Sequence, residues 1–237
     1  MSRQLEGRRI VITGVSRGVG YETAKLFLDE GARVLGVARD ARRLSRAAES
    51  LAPLGDFVAL RVDLGHAQAP AEVTAAVRDR WGALDVLFNN AAILIQAGDP
   101  GSFEQEPEGA LEQSFEANLM APFRLTMAFL PLLRKGNEPR IMHVGSGAGT
   151  FEGVRLEGIA SYRLSKWALN GLTLLQATHL KGQIAVNAFD PGWVKTDLGG
   201  PNAPGSPADS AKGALAVATL PFETTGRFWK DGSEIPF

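Results

Sequence analysis

The sequence holds two tyrosines, and each has a lysine four residues on: Tyr21 with Lys25, and Tyr162 with Lys166. Positions i and i+4 share a helix face, so in either pair the ammonium can approach the phenol. A neighbouring cation favours phenolate and lowers the phenol pKa from ~10. The tyrosine then becomes a usable proton donor or acceptor near neutral pH. Context separates the two. Tyr21 lies directly behind the glycine-rich run Thr13-Gly14-Val15-Ser16-Arg17-Gly18-Val19-Gly20 and has no polar partner from a strand end, so it reads as structural. Tyr162 follows a strand that ends in Gly145-Ser146, and the Ser146 hydroxyl can bond the same substrate oxygen. Ser146, Tyr162 and Lys166 are therefore the catalytic candidates.

The glycine run sits between a first strand and a first helix. Glycine there permits positive φ and close approach of backbone to a phosphate. The helix N-terminus adds free N–H groups and partial positive charge, which suits a diphosphate. A glycine triplet is weak evidence alone, but its place in a first βαβ unit points to a dinucleotide. No Gly-Lys-Ser/Thr follows, so it is not a P-loop. The end of the second strand speaks to which dinucleotide. An acid there serves the ribose 2′-hydroxyl of NAD, whereas this chain has Ala38-Arg39. Arg39 can meet a 2′-phosphate with a planar, bidentate fork, and Arg17 adds a second cation. NADP(H) is the preferred cofactor on this reading. Asp40, one residue later, keeps NAD(H) open, and Arg42, Arg43 and Arg46 read as a solvated helix face.

Six short apolar runs could carry these residues: 8–14, 32–39, 57–63, 84–92, 140–146 and 184–192. Each is bounded by Gly, Asp, Asn or Pro, as suits strands covered on both faces. Helical patterns alternate with them over 19–30, 70–81, 108–133 and 161–180, and 226–232 offers an edge strand. Such alternation implies right-handed βαβ units around a parallel sheet. With 237 residues the chain suits one α/β domain over 1–237, with a substrate-loop region at about 193–210. Leu198 to Ser210 is its longest Gly/Pro/Ser-rich stretch, readable as a substrate lid or as a plain surface loop.

Composition removes several alternatives. A formal net charge of -1 argues against a nucleic-acid partner. The absence of cysteine excludes disulfides, thiolate metal sites and a thiol nucleophile. No apolar run suits a signal peptide or a membrane span, so a cytoplasmic protein without a membrane partner is expected. His66, His143 and His179 lack second ligands at metal spacing, and no metal is expected. Val144-Gly145-Ser146-Gly147 fails the hydrolase elbow, which needs glycine at 144.

Taken in order, the motifs resemble those of the short-chain dehydrogenase/reductase family over almost the whole chain. Thr13 to Gly20 matches its Thr-Gly-x3-Gly-x-Gly, Asp63 its adenine-contacting acid, and Asn89-Asn90-Ala91-Ala92 its Asn-Asn-Ala-Gly with Ala92 for glycine. Asn118 matches a fourth-helix Asn; Ser146, Tyr162 and Lys166 match the catalytic Ser, Tyr and Lys. Pro191-Gly192-Trp193-Val194-Lys195-Thr196 matches the Pro-Gly-x-Val-x-Thr that meets the nicotinamide end. The last motif and the C-terminus look most similar to NADPH-dependent carbonyl reductases of the family.

The resemblance implies a Rossmann-like doubly wound parallel sheet of about seven strands in three α/β/α layers. It also implies hydride transfer from NADPH to a ketone or aldehyde, reversible to alcohol oxidation. In that scheme Tyr162 protonates the carbonyl oxygen, Ser146 polarises it, Lys166 depresses the tyrosine pKa and binds the ribose, and Asn118 holds a relay water. Gly14, Ser16, Arg17, Gly18, Val19, Gly20, Arg39, Asp63, Leu64, Asn90, Ala91, Pro191, Gly192, Val194 and Thr196 join Tyr162 and Lys166 as cofactor contacts. The substrate loops, near 93–102, 148–159 and 193–210, are mostly apolar and suggest a hydrophobic carbonyl or alcohol. Trp193 is the pocket candidate, and Trp167 is expected to pack. The long helices at 108 and 161 suit a homo-oligomer, with a monomer as the alternative. A non-catalytic NADP-binding regulatory or scaffold protein of the same fold is the competing function.

Overall fold

A computed structural model describes residues 3–95 and 103–237. Eight strands form one sheet: β1 (Arg9–Thr13), β2 (Arg33–Ala38), β3 (Phe57–Arg61), β4 (Val86–Asn89), β5 (Arg140–Val144), β6 (Ala185–Phe189), β7 (Phe228–Lys230) and β8 (Ser233–Ile235). Their order is β3-β2-β1-β4-β5-β6-β7-β8. All neighbours run parallel except β7 and β8. The helices are α1 (Gly18–Asp29), α2 (Ala41–Leu51), α3 (Ala69–Trp81), α4 (Ala110–Phe115), α5 (Ala121–Leu133), α6 (Ala160–His179) and α7 (Pro207–Ala218).

Every residue of β5 and β6 is buried, because successive side chains go to opposite faces and both faces are covered. Ile10, Ile12, Phe88 and Met142 pack one face against Phe27 of α1 and Val217 of α7. Val11, Leu87, Ile141 and Val186 pack the other against Val73 of α3, Phe129 of α5 and Ala177 of α6. Three α/β/α layers result, with two cores separated by the sheet.

Strand order reverses between β1 and β4, and in such sheets ligands bind in the crevice at the carboxyl ends beside that reversal. Register sets what emerges there. Asn89 of β4 lies opposite His143 of β5, and Val144 of β5 opposite Phe189 of β6. Asn90, the Gly145-Ser146 pair and Asp190 therefore leave the sheet at neighbouring points along its rim.

The expected seven or so strands become eight, because a two-residue Asp231-Gly232 turn folds β8 back antiparallel on β7. The single helix expected over 108–133 is divided. A π-helical turn, Glu116–Met120, separates α4 from α5, and Asn118 sits on it. Two further helices take definite bounds: α2, expected only as the face carrying Arg42, Arg43 and Arg46, and α7, which is not expected from the sequence. The Asp40 carboxylate caps α2 by accepting from Arg43 N at 2.9 Å. Ser206 Oγ caps α7 by accepting from Asp209 N at 3.1 Å, with Pro207 at its first turn. The Leu198 to Ser210 stretch thus ends in helix rather than loop.

Candidate active site

The glycine turn is held from β4. Thr13 Oγ1 accepts from Asn90 N and Ala91 N, each at 3.0 Å, and Asn90 Nδ2 donates to Thr13 O at 2.8 Å. A Cβ on Gly20 would lie 2.5 Å from both Asn90 Nδ2 and Gly14 O, so only glycine lets the helix start this close to the strand. Arg17 stands extended at the N-cap of α1, and no side chain caps that helix. Its first-turn N–H groups, from Gly18, Val19 and Gly20, are thereby left for an anion. Ser16 and Leu64 are half-buried, and the half-buried Asp63 accepts from Gly65 N at 3.1 Å.

At the end of β2 the expected cations part company. Arg39 is exposed, and its guanidinium has no ion pair among the described residues. Arg17 and Arg43 both pair with Asp197, which follows Thr196 on the β6–α7 loop. Arg43, expected as plain surface, therefore belongs to a bridge between the glycine turn, α2 and that loop. Asp40 Oδ1 accepts from Arg43 N at 2.9 Å as the cap of α2.

Ser146, Tyr162 and Lys166 come together where β5 meets α6. Gly149, just beyond Ser146, packs directly on α6: a Cβ there would lie 2.5 Å from the Lys166 backbone carbon. Two features fix the start of α6. Ser161 N donates to Glu106 at 2.8 Å, and Ile159 adopts the left-handed conformation at φ 50, strained for a β-branched residue. Ser146 neighbours Tyr162 closely enough to influence its ionisation, and its hydroxyl accepts from Ala148 N at 3.1 Å. Lys166 is 2% exposed, its Nζ donating to Val144 O at 2.7 Å and lying 5.7 Å from the Tyr162 ring centroid.

The electrostatics differ from expectation. Burial pushes Tyr162 up to about 12; the nearby Asp190 charge adds to this, and the Ser146 bond opposes it. Burial pulls Lys166 down to about 8, against the favourable charge of Asp190. The expected depression of the tyrosine by Lys166 is not found: burial of the phenol sets the direction of its shift, and Lys166 is not among the groups that move it.

Asn118 Oδ1 accepts from Ile93 N at 2.8 Å, while its Nδ2 donates to Ile93 O at 2.9 Å and Ser165 Oγ at 3.0 Å. It ties the loop after β4 to α6, and these bonds do not include Lys166. Pro191, Gly192 and Thr196 are half-buried on the rim, Val194 is buried, and Val194 bridges to Gly205.

Of the loops expected to line a substrate, residues 96–102 lie outside those described. Elsewhere on the rim Phe151, Leu156, Trp193 and Leu198 are exposed. Trp193 Nε1 donates to Gly199 O at 2.7 Å. Trp167, expected to pack, is exposed instead, since its face of α6 points away from both cores. Tyr21 packs half-buried against the core, as a structural residue would.

Two buried polar groups stand behind the site: His143, expected as a core or surface residue without a metal, and Asp190, which the sequence does not single out. His143 Nε2 faces Gln176 Oε1 at 2.8 Å and its Nδ1 faces Asn89 Nδ2 at 3.3 Å. The neutral tautomer with the proton on Nε2 satisfies both partners. Burial holds its pKa at about 4, opposed by the Gln176 bond and assisted by the Lys166 charge. The second is Asp190, 3% exposed, and its only sequence signal was a carboxylate before Pro191-Gly192.

A doubly wound sheet with a glycine turn opening its first helix is the fold of dinucleotide-dependent oxidoreductases. The short chain dehydrogenase family profile matches residues 8–206, and the chain belongs to that family. It is 31% identical over 195 residues to a 3-oxoacyl-[acyl-carrier-protein] reductase of Vibrio cholerae, covering 82% of this chain and 76% of that protein. It is 29% identical to (+)-neomenthol dehydrogenase of Arabidopsis thaliana, covering 92% and 93%. Among solved structures, an NADPH-bound carbonyl reductase from chicken fatty liver superposes with TM-score 0.88 at 26% identity, covering 98% of this chain and 100% of that one. The RhlG/NADP complex of Pseudomonas aeruginosa does so with TM-score 0.88 at 29% identity, covering 98% of each.

Proposed function

We propose that the protein is an NADPH-dependent reductase of an apolar ketone or aldehyde. The observation that carries this reading is the gathering of Ser146, Tyr162 and buried Lys166 where β5 meets α6, with Lys166 Nζ held on Val144 O. When bound, NADPH supplies the hydride. The uncapped start of α1 would take the diphosphate, with Gly14, Ser16, Gly18, Val19 and Gly20. Arg39 and Arg17 would take the 2′-phosphate. Asp63, Leu64, Asn90 and Ala91 would flank the adenosine half; Pro191, Gly192, Val194 and Thr196 would hold the nicotinamide end.

Ser146 polarises the carbonyl oxygen, and Tyr162 delivers a proton to it. A phenol held near 12 stays protonated through the neutral range, which suits the reductive direction. Lys166 stays charged at neutral pH and meets the ribose hydroxyls. We assign Asn118 to holding a relay water through the backbone geometry at Ile93. The exposed Phe151, Leu156, Trp193 and Leu198 support an apolar substrate. The exposed apolar side chains of Phe123 and Met127 on α5, and of Trp167, Leu174 and Leu175 on α6, support a homo-oligomer. A cysteine-free chain fits the cytoplasm, where we place it.

NADPH oxidation followed by absorbance over aliphatic, aromatic, quinone and steroid carbonyls tests the reading. NADPH binding without turnover on any of them would establish the non-catalytic alternative. Arg39→Asp is expected to weaken NADPH affinity ~10–100-fold, the range for a charge-assisted hydrogen bond, and to spare NADH. An unchanged NADPH to NADH ratio would remove Arg39 from 2′-phosphate recognition.

A further inference from the structure

Asp190 leaves β6 as Ser146 leaves β5, and its carboxylate turns back between the two exits. Its Oδ2 accepts from Gly147 N at 3.1 Å, on the turn that follows Ser146. Its Oδ1 accepts from Gly192 N at 2.9 Å, closing the Pro191-Gly192 turn. Its own backbone N donates to Trp229 O of β7 at 2.8 Å. One buried side chain thus joins the serine turn to the turn expected to meet nicotinamide. Lys230 Nζ lies 3.5 Å from Oδ2 as its counter-ion, with 42% of its own side chain exposed.

We propose that Asp190 is a positioning residue of the reaction centre: it locks the Ser146 turn to the Pro191-Gly192 turn, and its charge, offset by Lys230, acts on Tyr162 and Lys166. A buried carboxylate acts through a poorly screening interior, so its field reaches further than a surface charge. The groups that feel the Asp190–Lys230 pair are Tyr162 and Lys166 on α6; His143 on β5, buried and held neutral, in turn feels the Lys166 charge. Gly147, Ala148, Gly149, Pro191 and Gly192 bring nothing that titrates. The sign of each effect follows. Asp190 makes phenolate at Tyr162 harder to form, and it keeps Lys166 protonated against the cost of its burial. The charge therefore holds the pair in the form that donates a proton: neutral phenol beside ammonium. This deepens the reductase reading and rests on it for the part Tyr162 plays in turnover.

The chain has two tyrosines, so in a Tyr21→Phe background Tyr162 is the only one left to titrate. Tyrosinate absorbance after a rapid pH jump, read before alkaline unfolding, reports its ionisation without cofactor or substrate. Adding Asp190→Asn is expected to lower the Tyr162 midpoint by about one pH unit. Adding Lys230→Met, which leaves both backbone bonds to Asp190 in place, is expected to raise it. The alkaline limb of carbonyl reduction should move in the same two directions. A midpoint that stays put in Asp190→Asn, or moves the same way in both variants, overturns the proposal. If Asp190→Asn fails to fold, Lys230→Met decides alone: a rise supports the proposal and an unmoved midpoint overturns it. Wild-type chain that oxidises no NADPH would sink the reductase reading while leaving the titration to judge Asp190.

Discussion

Tyr162→Phe should lower kcat for carbonyl reduction by ~10²–10⁴-fold, the usual contribution of a positioned general acid, and leave NADPH affinity nearly unchanged. The ring is 9% exposed and packs at the start of α6, and phenylalanine fills the same volume. What disappears is the hydroxyl that neighbours Ser146 and that would reach the substrate oxygen. Ser146 keeps its acceptor contact with Ala148 N, so the turn around it should hold. Lys166 keeps its bond to Val144 O, so the group expected to meet the ribose remains. Steady-state kinetics with NADPH, beside a fluorescence titration of NADPH binding, separates the two effects. A variant with full turnover would remove Tyr162 from proton transfer. A variant that lost cofactor binding along with turnover would make the hydroxyl a binding group instead.

What could be read from the sequence was what lies close in the chain. Tyr162 and Lys166 are one helical turn apart, and the glycine run follows its strand directly. The βαβ rhythm was legible because the inner strands are apolar on both faces. The contacts that finish the site span long stretches of chain. Asn90 reaches Thr13 across 77 residues, Ser161 reaches Glu106 across 55, Gly147 reaches Asp190 across 43 and His143 reaches Gln176 across 33. No local pattern encodes such pairs; strand register and the packing of α6 against the sheet bring them together.

The tyrosine acidity failed for a related reason. Spacing placed a cation beside the phenol, but the burial of both groups is a property of the packed cleft. In helix α2 the arginines show a solvated helix face opposite the buried Leu44, Ala47 and Leu51, while its start is set by the Asp40 cap. The break between α4 and α5 escaped notice because a π-helical turn keeps helical periodicity while shifting it by one residue.

The largest stability effect is expected at the opposite end of the sheet. Asp85 precedes β4 and its side chain is 3% exposed. It accepts from Arg9 N, Nε and Nη2, each at 2.8 Å, and from Asn137 N at 2.6 Å. Its backbone O accepts from Arg140 N at 2.8 Å. The residue therefore pins the starts of β1, β4 and β5, whose far ends carry Thr13, Asn90 and Ser146. Asp85→Ala leaves Arg9 without its partner and the Asn137 N–H without an acceptor. Losing one partner of a buried pair costs about 3–5 kcal/mol. Arg9 keeps 23% of its side chain in water, which places the cost at the low end. At ~3 kcal/mol the expected fall in Tm is about 6–12 °C for a domain of this size. The pH dependence gives a second check. Burial alone would push the Asp85 carboxyl up, but the bonds from Arg9 and Asn137 reverse this and hold it below the ordinary value. A depressed folded pKa contributes stability that is present above ~3.9, the unfolded value, and is lost as pH falls through the folded one. The gap between wild type and Asp85→Ala should therefore be widest near neutral pH and should narrow as pH drops below ~4. Urea unfolding of both proteins across that range measures it. A gap under ~1 kcal/mol at neutral pH, or one that widens in acid, would show that the fold does not depend on this carboxylate.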